Sequence, residues 1–188
     1  MKSWWQVLIV LAVLTAGSSV ASLAQSQGSG TVARMVLWRA KPGMTKQFEE
    51  GYQRHLEWHR KNHDSWNWYG WNIVSGERFG YFLDGSFFHT WAEMDSPVSP
   101  AGDSADSAVN VSPYAEILSV AMYESLPLAT NFRPGELSAS HVTFSRWEVQ
   151  PGRAGEFESL LAAASLKSKT RHRGSCFVRS MEHRNTCC

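Results

Sequence analysis

Two stretches decide the fold: Ala33-Arg-Met-Val-Leu-Trp-Arg-Ala-Lys-Pro-Gly43 and Val142-Thr-Phe-Ser-Arg-Trp-Glu-Val-Gln-Pro-Gly152. Set side by side without a gap, they match at Trp38/Trp147, Pro42/Pro151 and Gly43/Gly152, and further on at Phe48/Phe157 and Glu49/Glu158. Five identities in 17 aligned positions, two of them Trp, read as an internal repeat. Each copy reads as strand, tight turn, helix. Val32–Lys41 and His141–Val149 are apolar, β-branched and aromatic, which suits strands. Pro-Gly breaks the strand and sets the turn. Glu49/Glu50 and Glu156/Glu158 then fall near the start of each helix, where negative charge favours the positive end of the dipole.

Working outward, the first helix is expected over Thr45–His63. Ser65–Ser75 is aromatic-rich, Gly76-Glu77 makes a turn, and Arg78–Leu83 reads as the partner strand of a hairpin. Phe87–Met94 fits a short helix. Ser96–Pro113, small, polar and Pro-bounded, reads as a long loop or a loosely helical excursion. Ile117–Leu126 closes as a strand, with a helix over Tyr114–Met122 as the alternative. The fold class is therefore α+β: a β-α-β-β-α-β module over residues 32–126, the ferredoxin-like pattern. A linker (127–140) and an incomplete second copy (141–166, strand and helix only) follow.

Composition supports a packed globular chain. Of 188 residues, 43% are hydrophobic and nine are Trp, too many for a disordered polymer. Charge is unevenly spread: residues 25–166 hold 11 Lys+Arg against 16 Asp+Glu, whereas 167–188 hold six against one. The acidic body would repel a phosphate backbone, so no nucleic-acid partner is expected. Nucleotide, P-loop, G-x-S-x-G and C-x-x-C motifs are all missing.

The N-terminus reads as an export signal. Lys2 precedes the apolar run Val7–Leu14, and Ser22-Leu23-Ala24 offers a cleavage site, with Ser19-Val20-Ala21 as the alternative. Eight apolar residues are too few to span a bilayer, so residues 1–24 are expected to be removed, leaving no stable membrane anchor. Residues 25–31 form a flexible lead-in. The mature chain is expected to be secreted or periplasmic. All three Cys (Cys176, Cys187, Cys188) fall at the C-terminal end, so the body must stand on packing without a disulfide. The tail 167–188 is atypical: a truncated or frameshifted C-terminus, or a basic tail for an anionic surface. An incomplete second module would leave a sheet face uncovered, which makes a homodimer a possible partner state.

The strand ending in x-Pro-Gly, then four residues, then Phe-Glu on a helix resembles the dimeric α/β-barrel superfamily, including its antibiotic-biosynthesis-monooxygenase-like, NIPSNAP-like, EthD-like and stress-responsive domains. The resemblance spans residues 32–126 and part of 141–166. It implies two ferredoxin-like sheets packed face to face, with ligands held between a sheet and its helices. The activities it implies include cofactor-free oxygenation, haem binding or degradation, and isomerisation. Phe87-Phe88-His89-Thr90-Trp91 resembles the segment after the third strand in haem-degrading relatives, where a His binds iron.

The first helix carries the most chemistry. His55, His59 and His63 form an i, i+4, i+8 ladder on the side of Phe48 and Tyr52, which should face the sheet. Imidazoles turned inward need hydrogen-bond partners. In one reading His55 or His59 is a proton shuttle or haem ligand in a Trp-walled cavity. In another, two His chelate a metal, which requires a third ligand such as Asp64, His89 or Glu93. The plain alternative is two hydrogen-bonded core residues and a solvated His63. No metal site is assigned. Trp66 and Trp68 should share a face of the following segment, as an aromatic pocket or as core packing. Asp95, Asp103 and Asp106 do not fit a calcium loop and read as solvated loop. The expected ligand-binding set is Trp38, Tyr52, His55, His59, Trp66, Trp68 and His89, around a small apolar or aromatic ligand. The alternatives are a cofactor-independent or haem-linked monooxygenase using His55 or His59, and a structural or assembly module without catalysis.

Overall fold

The structure, a computed structural model, describes residues 30–131, 140–168 and 178–180. The expected signal (1–24), most of the lead-in, the middle of the linker and most of the basic tail lie outside the described residues. Among the described residues no helix is long and apolar enough to cross a membrane.

The elements run β1 (Val32–Ala40), α1 (Thr45–Lys61), β2 (Tyr69–Asn72), β3 (Phe82–His89), α2 (Trp91–Met94), α3 (Pro100–Asn110), β4 (Ala115–Ser125), α4 (Ala154–Ser168) and β5 (Val178–Ser180). Strands order as β2-β3-β1-β4-β5, and every pairing is antiparallel. The first four strands, with α1 between β1 and β2 and α3 between β3 and β4, are compatible with a ferredoxin-like fold.

β1 sits at the centre because it is apolar on both faces. Val32, Ala33, Met35, Val36, Leu37 and Trp38 are all buried. Val36 and Trp38 face the helices and pack with Phe48, Tyr52, Val111 and Ala115. Phe48 lies 6.0 Å from the Trp38 ring and 5.4 Å, edge-on, from Phe82. Burying such a side chain contributes about 2–3 kcal/mol. By strand alternation Trp71 takes the opposite face, where it stacks beside Tyr69 and meets Phe144 edge-on at 5.6 Å.

The Pro-Gly turn forms as expected. Met44 N–H donates to the Lys41 carbonyl (2.9 Å), with Gly43 at φ 74°, the requirement of a type II turn. Arg153 N–H donates to the Gln150 carbonyl in the same way (3.0 Å), with Gly152 at φ 80°. A helix follows each turn, and Trp147 lies 6.0 Å from Phe157 as Trp38 does from Phe48. There the likeness stops. His141–Val149, expected as a strand, has no strand pairing and is exposed, so neither a second module nor a face-to-face barrel is shown.

Other boundaries shift. The hairpin partner is Phe82–His89 rather than Arg78–Leu83, because Trp38, Leu37 and Val36 pair with Phe82, Leu83 and Asp84. Phe87–His89 therefore completes a strand, and only Trp91–Met94 is helical, started by a Thr90/Glu93 capping box. Glu49 and Glu50 lie one turn beyond the first turn of α1. Tyr114–Met122 is largely strand, not helix. The polar stretch Ser96–Pro113 holds α3, with Pro100 at its first position.

α3 lies against α1 at two close approaches. A Cβ on Gly51 of α1 would collide with the Asn110 carbonyl, and one on Gly102 of α3 would press on Trp58 and Ser99. These glycines let the two backbones come near enough for short side chains to meet.

Candidate functional site

The inward stripe of α1 delivers His55 and His59 beside Tyr52, as the helical spacing requires. The end of α1 supplies their first partner. His63 N–H donates to the Arg60 carbonyl (3.2 Å) and Asp64 N–H to the His59 carbonyl (3.0 Å), with His63 in the left-handed region at φ 55°. This is a Schellman termination. It turns His63 out to solvent, so the third rung of the expected ladder is not part of the site. It also folds Asp64 back under the helix.

Asp64 Oδ2 then lies 2.8 Å from His59 Nδ1 and accepts from Trp68 Nε1 (2.9 Å), while its Oδ1 accepts from Trp66 N–H (3.0 Å). Burial works against ionisation of this carboxyl, but the donors from His59, Trp68 and Trp66 outweigh it and hold its pKa below the ordinary value.

α3 brings the second set. His55 Nδ1 is 2.8 Å from Asp106 Oδ2, and His55 Nε2 is 3.2 Å from Asp103 Oδ1. His59 Nε2 is 3.4 Å from the same Asp103 oxygen. Burial disfavours the charged form of His55, yet the bonds to Asp103 and Asp106 prevail and raise its pKa. Asp103 is held low, chiefly by the bond from His55. One ligand atom from each of His55, His59 and Asp103 falls within 4.8 Å of the others, near enough for a single cation to touch all three. Asp103 and Asp106, expected as solvated loop, are thus site residues. The signal for them was the Ser-Pro start of an Ala-rich segment that places both carboxylates on one helical face.

The strand floor adds a buried carboxylate that the sequence reading also missed. Asp84 is 3% exposed, and its Oδ2 accepts from Trp38 Nε1 at 2.7 Å. Among the described residues its Oδ1 has no hydrogen-bond partner. Burial lifts its pKa to about 6, against the pull of the Trp38 indole, the Arg34 charge and the Tyr52 hydroxyl. Burial and the nearby Asp84 charge together push the Tyr52 phenol up.

Between α1, α3 and the sheet lies a cavity of about 300 Å³. Of the expected ligand-binding residues, Trp38, Tyr52, His55, His59 and Trp68 line it. Arg34 lines it as well, its guanidinium 5.8 Å from the centre of the Trp68 ring. Trp66 and His89 do not. They pack behind Trp68, with ring centroids 4.1 Å apart and the buried His89 Nε2 2.6 Å from Ser86 Oγ. The Ser86 hydroxyl in turn donates to the Asn67 carbonyl (2.8 Å). Burial lowers the His89 pKa, which fits a neutral core residue.

No family model, no curated protein and no solved structure matches this chain. Its function has to be argued from this site.

Proposed function

We propose that the chain is an exported protein that binds a small aromatic ligand carrying at least one N–H or O–H donor, in the cavity between α1, α3 and the sheet. The cavity itself, walled by the rings of Trp38, Tyr52 and Trp68 and with Asp84 and Asp103 in its lining, carries this reading. Carboxylates set among aromatic walls need hydrogen-bond donors, which a ligand N–H or O–H supplies. Flat indole and phenol faces favour a flat guest, and a volume near 300 Å³ stands at the small end of ligand pockets. Export rests on residues 1–24 alone.

Titrating simple phenols and aromatic amines against the purified protein, read by Trp fluorescence and by the shift in Tm, tests the binding. Saturable quenching by at least one of them is expected, weakened at least tenfold in Asp84→Ala and in Trp68→Ala. If no compound of either class moves the fluorescence or Tm, the reading fails. The N-terminal residue of the protein recovered from the medium or periplasm tests export, with Gln25 expected.

A further inference from the structure

The two histidines of α1 are surrounded by more carboxylate oxygens than their own N–H groups can serve. Each imidazole has a carboxylate at both ring nitrogens: His55 between Asp106 and Asp103, His59 between Asp64 and Asp103. A neutral imidazole owns one N–H, and a carboxylate owns none. With Nδ1–H donated to Asp106 and to Asp64, both Nε2 lone pairs face the same Asp103 oxygen, acceptor against acceptor. A proton on His55 relieves one contact and leaves the His59 Nε2 lone pair 3.4 Å from the same Asp103 oxygen. Two extra protons would make two imidazolium rings whose centroids stand only 4.8 Å apart. One divalent ion satisfies both contacts at once.

We propose that His55 Nε2, His59 Nε2 and a carboxylate oxygen of Asp103 bind a divalent ion of the zinc type. Three features fit such an ion. Ligand atoms bound at about 2.1 Å around a tetrahedral ion stand about 3.4 Å apart; the two His–Asp103 separations are 3.2 and 3.4 Å, and all three ligand atoms lie within 4.8 Å of one another. The far nitrogen of each histidine is fixed by its own carboxylate, the arrangement that orients imidazole ligands and raises their basicity. Two nitrogens and one oxygen match the ligand taste of zinc better than that of calcium or magnesium, which take oxygen sets. All three ligands line the cavity, so a fourth coordination position opens into it. Zinc sites that keep an open position in this way are the catalytic kind.

Cobalt(II) titration of the full-length, chelator-treated protein, followed by visible absorption, tests the site. A triple variant with Cys176, Cys187 and Cys188 changed to Ser removes the competing thiolates. One equivalent is expected to bind to that variant, with the intense visible bands of a four-coordinate ion. Those bands should vanish in Asp103→Asn and His59→Gln, and the ion's affinity should fall about 10–100-fold in Asp64→Asn and Asp106→Asn. Far-UV circular dichroism confirms that each variant is folded. A zinc-edge absorption spectrum of the loaded wild type, with a nitrogen and oxygen shell near 2.0–2.1 Å, reads the same site without any substitution. Undiminished binding in Asp103→Asn, a sulfur shell near 2.3 Å, or no stoichiometric binding would each overturn the proposal. The last outcome would mean that protons fill the cluster. No organic ligand enters these readouts, so they fail or succeed independently of the cavity's guest.

Discussion

Asp64 Oδ2 lies 2.8 Å from His59 Nδ1 although Asp64 stands beyond the end of α1 at Lys61. The Schellman turn through His63 makes this possible. Because the same oxygen also accepts from Trp68 Nε1, a single carboxylate fixes one imidazole and one wall of the cavity. Replacing Asp64 by Ala leaves those two buried donors without an acceptor. The expected loss is about 2–3 kcal/mol of unfolding free energy, measurable by urea titration. A loss below 0.5 kcal/mol would show that Asp64 does not organise this end of the helix.

His63 adopts φ 55° with its side chain in solvent. Left-handed backbone costs a non-glycine residue about 1–2 kcal/mol, part of which glycine returns through its greater freedom when unfolded. His63→Gly is therefore expected to stabilise the fold by about 0.5–1 kcal/mol and to leave ligand or metal binding unchanged. A lower Tm would contradict this account of the turn.

Asp84 gives the fold a distinctive pH response. Its folded pKa, about 6, lies above the ordinary aspartate value of 3.8. The protonated form is thus the one that the fold prefers. Its contribution is fully present below pH 3.8 and is lost as pH rises through about 6, a change of roughly 3 kcal/mol. Asp64 and Asp103, held low, act oppositely and lose their contribution as pH falls below about 4. His55, raised, contributes below its unfolded value and loses that contribution as pH climbs through its folded one. Comparing wild type with Asp84→Asn between pH 4 and 7 cancels most of these other terms. The stability of the variant relative to wild type should rise by about 2–3 kcal/mol over that range. A flat difference would mean that Asp84 titrates as an ordinary surface carboxyl.

Gly51 sets the spacing between α1 and α3. A methyl group there meets the Asn110 carbonyl, which is backbone and cannot turn aside. Gly51→Ala should cost about 1–3 kcal/mol and should move Asp103 away from both histidines. Its cobalt(II) affinity should therefore fall even though no ligand residue is changed. Unchanged Tm and unchanged metal affinity together would exclude the close approach.

How much was legible beforehand depended on whether the signal was local. The Pro42-Gly43 turn, β1 and α1 follow from residue types within a few positions of one another, and the structure carries them nearly as expected. Burial of His55 and His59 follows from helical periodicity that starts at Phe48. The same periodicity overreached at His63, where a backbone turn ended the helix before a third rung could form. His141–Val149 has a strand's composition but no partner strand among the described residues. Pairing is a non-local requirement that composition cannot supply.

Chain order alone determined the strand-turn-helix opening, the aromatic core around Phe48 and the inward pair of imidazoles, because each rests on short-range periodicity. Tertiary structure alone decided what those imidazoles meet. Asp103 and Asp106 lie some 50 residues away on a stretch that looks like polar loop, and they reach the histidines only because α3 docks through Gly51 and Gly102. Asp84 likewise looks like any strand aspartate until β3 pairs with β1 and buries it beneath Trp38. Electrostatics between groups distant in sequence is written in their separation in space, which only the packed chain defines.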